Sequence, residues 1–268
     1  SYSEILKNIT DSEYLVNKLR KNFYSRDLFG IQDPLKRDLY FFGRRDLIHT
    51  LINKHLSSEN SGIFGLRKTG KTSILYSIER ALDRKKSASV FIDCQTLHLK
   101  PWNAALLYII QELQTKYQIK RSELKLLENY ADEKFVSDYF AEDIMTIYRK
   151  NDKKSILIVF DEIENITFDT SLSENWKNGV DFIKFWQVLR STFQKFKDNN
   201  IFTYLITGTN PRCVEKPTID KIDNPIFAQF QPIYIPAFDF IQTKEMLDKL
   251  GGYIGLKFDD IACSKLVD

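Results

Sequence analysis

Residues 61 to 80 read S-G-I-F-G-L-R-K-T-G-K-T-S-I-L-Y-S-I-E-R. A short apolar run leads into Gly65, four residues follow, and then come Gly70, Lys71 and Thr72. Glycines at this spacing let the backbone turn tightly and aim several N–H groups at one anion. A lysine at the end of the turn supplies a point charge for terminal phosphates, and the next hydroxyl suits a magnesium ion. From Ser73 the apolar residues recur at helical spacing, so the loop opens onto the positive end of a helix dipole. The stretch therefore predicts strand, phosphate-binding loop and helix in succession. Gly65, Arg67, Lys68, Thr69, Gly70, Lys71, Thr72 and Ser73 are its candidate phosphate contacts, with Lys71 also a catalytic candidate and Thr72 a metal ligand.

Working outward, five apolar or β-branched runs alternate with helical patterns: Ser61 to Gly65, Ala88 to Cys94, Ser155 to Asp161, Ile201 to Thr207 and Phe230 to Pro236. Helices are expected near residues 71–85, 101–117, 133–149 and 180–199. Such alternation predicts an α/β fold, a parallel sheet with helices on both faces. The unbroken apolarity of I-L-I-V-F in the third strand predicts a central, doubly buried place. Asn165 to Gly179 is polar and reads as a flexible loop. Within it, Trp176 suits either a lid or partner contact or a packing role.

The third strand ends in Asp161 and Glu162. An aspartate at the end of a buried strand beside a phosphate loop can hold magnesium. The next glutamate can orient and deprotonate an attacking water. Glu164 is a second choice for that base. The fourth strand ends in T-G-T-N-P, where Thr209 first and Asn210 second are candidates to touch the γ-phosphate and the water.

The 268 residues carry 39 basic and 36 acidic side chains, a net charge of +3, with 43% apolar residues. That is an ordinary globular composition, and the charge gives no electrostatic case for nucleic acid. Local basic clusters, among them Lys18, Arg20, Lys21 and Arg26, read as solvated helix faces. Cys94, Cys213 and Cys263 lie far apart, which predicts reduced thiols and a cytoplasmic chain. His49, His55 and His98 lack metal-ligand spacing. No apolar run reaches the length of a membrane span. Residues 1–38 read as a helical arm or linker, with Leu15, Leu19 and Phe23 at helical spacing and Gly30 and Pro34 as breakers. Residues 39–238 read as the core and 239–268 as the start of a small helical domain. The start at Ser1 and the helical pattern running to Asp268 predict a portion of a longer protein.

F-F-G-R-R-D, G-L-R-K-T-G-K-T-S, I-L-I-V-F-D-E-I-E, L-I-T-G-T-N and Y-I-P-A-F together resemble a P-loop ATPase of the AAA+/STAND group. Within it the chain is similar to prokaryotic STAND and archaeal-type ATPases and to origin-recognition initiators. The resemblance covers about residues 40 to 250. It implies a five-stranded sheet of order 5-1-4-3-2, ATP or ADP with magnesium, and an adenine pocket flanked by Phe42, Gly43 and Arg44, with Pro236 near the base. The final residues would then lead into a helical lid and a winged helix. The arginine finger is unassigned, with Arg190 and Arg212 as weak candidates.

The resemblance implies an ATP-hydrolysing switch that couples nucleotide state to self-association and signalling, in antiviral defence among other settings, with effector and sensor domains outside this chain. A DNA-associated ATPase of the initiator or transposition-regulator type is the alternative. A nucleotide-binding module without turnover is a third reading, and the D-E pair argues against it. The guanine signature N-K-x-D is missing after the fourth strand, where T-G-T-N-P stands, so adenine is favoured over guanine.

Overall fold

The computed structural model describes residues 41–267 except 85, 86, 126 and 254, together with Glu13, Tyr14 and Asn17. The helical pattern expected at Leu15, Leu19 and Phe23, the breakers Gly30 and Pro34, and the basic cluster from Lys18 to Arg26 lie outside the described residues. The chain divides into two compact units, Asp46–Ile235 and a second made of Ser1–Arg45 with Pro236–Asp268.

The larger unit is built on five parallel strands: β1 (Ser61–Phe64), β2 (Ala88–Asp93), β3 (Ile156–Asp161), β4 (Phe202–Gly208) and a short edge strand (Pro232–Tyr234). Their order is β2-β3-β4-β1 followed by the edge strand. Counting that strand as the fifth, this is the predicted 5-1-4-3-2. The predicted ends hold to within two residues. Between β4 and the edge strand the sequence reading missed a small antiparallel hairpin, Thr218–Ile219 with Ile222–Asp223.

Side chains alternate across a strand, so each strand feeds two cores. Ile156, Ile158 and Phe160 of β3 and Phe202, Tyr204 and Ile206 of β4 share one continuous apolar cluster with Val90 and Ile92 of β2. Three helices cover that face: Trp102–Tyr117, Val136–Lys150 and Val180–Phe196. Its centre is aromatic, with Phe160 edge-on to Phe185 at 5.9 Å and Trp186 5.3 Å from both Phe160 and Tyr204. Such pairs add directional attraction to the burial of area. The alternate residues meet α1 (Arg45–Leu56) and α2 (Lys71–Arg84), whose Leu51, Ile52, Ile74, Leu75 and Ile78 are buried. There His55 of α1 bonds the Thr203 hydroxyl of β4 at 2.7 Å, and burial pushes its pKa down to about 4.

The stretch from Asn165 to Gly179 is more ordered than the expected flexible loop. It begins inside a 3₁₀ turn (Ile163–Ile166) and holds a helical turn (Glu174–Lys177). Trp176 takes the packing role: it is wholly buried, stacks edge-on to Phe185 at 5.5 Å and donates from Nε1 to the Lys100 carbonyl at 3.0 Å. Polar composition concealed it, because the buried side chains are isolated among Ser, Thr and Asn.

In the second unit, helices Phe240–Tyr253 and Asp260–Val267 pack together and bury Leu247, Leu250 and Cys263. All three cysteines are free and buried. Among the described residues no helix is long and apolar enough to cross a membrane.

Candidate nucleotide site

The phosphate loop lies between β1 and α2, at the C-terminal end of the sheet, where ligands of parallel α/β folds sit. Gly65 donates to the Gly208 carbonyl of β4 at 3.2 Å, which anchors the loop's first residue to the sheet. Gly70 has φ +86° and Lys68 φ 66°, so the backbone turns through the left-handed region twice within three residues. Thr69 donates its hydroxyl to the Leu66 carbonyl at 2.8 Å, and Lys71 Nζ reaches the Gly65 and Leu66 carbonyls, each at 2.9 Å. Arg67 and Lys68 are exposed, whereas Ser73 is buried at the start of α2. Burial pulls the Lys71 pKa below the usual lysine value, and Glu164, Asp161 and Glu162 oppose that pull.

The acidic strand end is next to the loop. Thr72 Oγ1 donates to Asp161 Oδ2 at 3.3 Å. Burial raises the Asp161 pKa to about 6, against the lowering effect of the Glu162 N–H that it accepts at 3.0 Å. A hydroxyl and a carboxylate this close form a hard-oxygen pair of the kind that holds magnesium beside substrate phosphates. Among the described residues no cluster of three or more His, Cys, Asp or Glu could hold a metal ion.

Glu162 sits at φ 54°, ψ 51°, a left-handed conformation that costs a non-glycine residue about 1 kcal/mol. Asp161 Oδ1 holds its N–H, and Asn165 Nδ2 donates to its carbonyl at 3.1 Å. The turn aims the Glu162 side chain away from the strand. There Gln95 Nε2 donates to Oε2 at 2.6 Å and Asn165 Nδ2 to the same oxygen at 3.3 Å.

Gln95 was missed in the sequence. It lies in a short helix, Cys94–Leu97, whose N-cap Asp93 accepts the Gln95 N–H at 2.8 Å. The register of β2 and β3 sets Asp93 opposite Asp161, which carries Gln95 alongside Glu162. The available signal was a polar side chain just past the second strand, readable only once the two strands are known to be neighbours.

The end of β4 divides the two candidates there. Thr209 Oγ1 donates to Glu164 Oε1 at 2.6 Å, and its N–H lies 3.2 Å from Oε2. Asn210 is exposed and accepts the Arg212 N–H at 3.0 Å, so its side chain caps the turn that follows. Arg212 Nε donates to Asp169 at 2.9 Å, and Arg190 donates to the Pro225 carbonyl at 3.3 Å.

In the other unit, Arg44 is buried, donates to the Pro236 carbonyl at 2.6 Å and stacks 4.6 Å from the Phe238 ring. Gly43 has φ +65°, and a Cβ there would stand 3.0 Å from Gln242. Phe42 is buried with Lys249 Nζ 5.6 Å from its ring. Four residues singled out from two distant stretches of sequence, Phe42, Gly43, Arg44 and Pro236, thus fall in one unit.

Sheet order, loop and acidic strand end together define the α/β fold of the P-loop nucleoside triphosphatases. No protein-family model matches the chain, and no curated protein matches it. Among solved structures it is similar to a Walker-type ATPase of Pyrococcus abyssi, with a TM-score of 0.56 at 17% identity over 90% of this chain and 66% of that one. Looser overlaps include the HORMA:CdnC:Trip13 complex of E. coli (TM-score 0.48, 11% identity, 89% of this chain and 77% of that one). Another is the Aeropyrum pernix ORC1 protein in complex with DNA (TM-score 0.46, 12% identity, 84% of this chain and 52% of that one). The chain spans under two thirds of the length of the first and third of these. The likeness to the Pyrococcus abyssi protein is one of fold.

Proposed function

We propose that this chain binds ATP with magnesium and hydrolyses it, as a switch domain of the AAA+/STAND type. The observation that carries the reading is the 3.3 Å contact of Thr72 with Asp161, which joins the phosphate loop to the acidic strand end. Lys71 and the N–H groups of residues 67 to 73 would hold the phosphates. Thr72 and Asp161 would hold magnesium, which supplies charge neutralisation on the phosphate oxygens. Glu162 is the base for the attacking water. Both amide contacts to its carboxylate fall on Oε2, so Oε1 is the oxygen that takes the water's proton. Phe42, Gly43, Arg44 and Pro236 are proposed adenine contacts on the strength of the resemblance alone, and the coupling to self-association, effector and sensor domains has the same support.

The test is phosphate release and particle mass measured together. Parent protein with ATP and magnesium should release phosphate and gain mass by light scattering. Glu162→Gln should keep ATP affinity and lose about 10³-fold in turnover, while Lys71→Ala should neither bind nor assemble. Equal release by parent and Glu162→Gln would defeat the assignment of the base. A mass indifferent to ATP would defeat the switch. Tight, salt-dependent DNA binding would instead favour the initiator-like alternative.

A further inference from the structure

The sequence makes Thr209 a candidate contact for both the γ-phosphate and the attacking water, and these two roles require opposite hydrogen-bond directions. A phosphate oxygen needs a donor, whereas a water about to lose its proton needs an acceptor. Thr209 owns two donors, its backbone N–H and its hydroxyl. Both are directed at one carboxylate: the hydroxyl reaches Glu164 Oε1 at 2.6 Å, and the N–H lies 3.3 Å from Oε1 and 3.2 Å from Oε2. A carboxylate has no proton to give back, so the hydroxyl presents only lone pairs to the rest of the site. The chain makes room for this arrangement at Gly208, where a Cβ would stand 2.3 Å from Glu164 Oε2.

We infer that Glu164 is a positioning residue that takes both Thr209 donors and thereby turns Thr209 into an acceptor for the attacking water, not a sensor of the γ-phosphate. This rests on the hydrolysis reading above. Glu162 then takes the water's first proton while Thr209 accepts a hydrogen bond from its second, which aims a lone pair at phosphorus. The phosphorus–oxygen bond to the water forms as the bond to the ADP oxygen breaks, and the electron pair leaves with ADP. In this arrangement Glu164 acts through Thr209.

The test combines affinities for ATP and ADP with single-turnover rates in the 268-residue chain. Thr209→Val should leave the ratio of ATP to ADP affinity within about twofold of the parent and lower turnover about tenfold or more, with KM unchanged. Glu164→Ala frees the Thr209 hydroxyl, which can then donate to the γ-phosphate. ATP affinity should rise about tenfold relative to ADP while turnover falls. The double variant should lose most of that rise and turn over no more slowly than the worse single variant. Glu164→Gln retains an acceptor oxygen and should stay within about threefold of the parent in both readouts. A Thr209→Val variant that loses ATP affinity while keeping ADP affinity would overturn the inference, since Thr209 would then be a phosphate donor. So would a double variant with the full ATP gain of Glu164→Ala, since charge removal alone would explain it. Parent protein that binds ATP yet releases no phosphate would sink the hydrolysis reading and the water's role with it. The affinity ratios would still decide separately whether Glu164 holds the Thr209 proton.

Discussion

Two turns at the same end of the sheet are built in opposite ways. The phosphate loop after β1 is held largely from within: Thr69 bonds Leu66 and Lys71 bonds Gly65 and Leu66, while Gly65 is tied to Gly208 of β4. The acidic turn after β3 has bonds of its own, from the Glu162 N–H and Asn165, and is also reached by side chains of three other elements. Gln95 arrives from the end of β2, Thr72 from the start of α2 and Thr209 from the end of β4. The first turn is a local object. The second is an assembly completed only when the ends of β2 and β4 and the start of α2 are in place. Binding should therefore survive disturbances of the sheet that turnover does not.

The largest expected disturbance is acid. His55 joins α1 to β4, the strand that delivers Thr209, and its folded pKa of about 4 lies below the ordinary 6.5. A depressed pKa contributes stability that is fully present above 6.5 and is lost as pH falls through about 4. The loss is on the order of 3 kcal/mol for this side chain, which is almost fully buried. Asp161 acts in the other direction. Its folded pKa of about 6 exceeds the ordinary 3.8, so its stabilising share is complete below 3.8 and lost as pH rises through about 6. Denaturant unfolding of the parent and of His55→Asn at pH 7 and pH 4.5 should separate the two, with the variant losing less stability on acidification. An equal loss in both would remove His55 from the account.

Next comes Gly208→Ala. Its methyl would meet Glu164 Oε2 at 2.3 Å and Ile163 Cγ2 at 2.9 Å. Glu164 can swing aside and release the Thr209 donors, so the fold should survive while turnover drops about tenfold and ATP affinity rises relative to ADP. Weakened ATP binding by calorimetry, with turnover at saturation intact, would break the division between the two turns.

The smallest effect is expected at Gly70, where a methyl would find open space but the φ of +86° is strained for any L side chain. Gly70→Ala should cost about 1 kcal/mol. The cost should appear as roughly fivefold weaker ATP binding, with turnover at saturation near the parent value. The two glycines thus separate conformation from space: one is required for its backbone angle, the other for the side chain it leaves room for.

The same division governs what was legible in the sequence. The loop was legible because its contacts fall within eight consecutive residues. The D-E pair was legible because it ends a continuous apolar strand, and the sheet order followed from the resemblance. Gln95 was not, because its meeting with Glu162 depends on the register of β2 against β3. The Thr209–Glu164 bond was not, because neither residue type reports the direction of a hydroxyl proton. Trp176 was ambiguous because a polar neighbourhood in sequence became an aromatic one in space.

The strand pairing also dictates a timetable. β1 has two partners, β4 and the edge strand, with Ser61 opposite Leu205 and Gly62 opposite Pro232. Both partners are synthesised long after β1 leaves the ribosome, and non-local parallel pairing is slow to form. The phosphate loop is thus made before β4 and the edge strand, yet it is anchored to the sheet only after β4 has arrived. A nascent chain stalled before β4 would lack the neighbour that anchors the loop to the sheet.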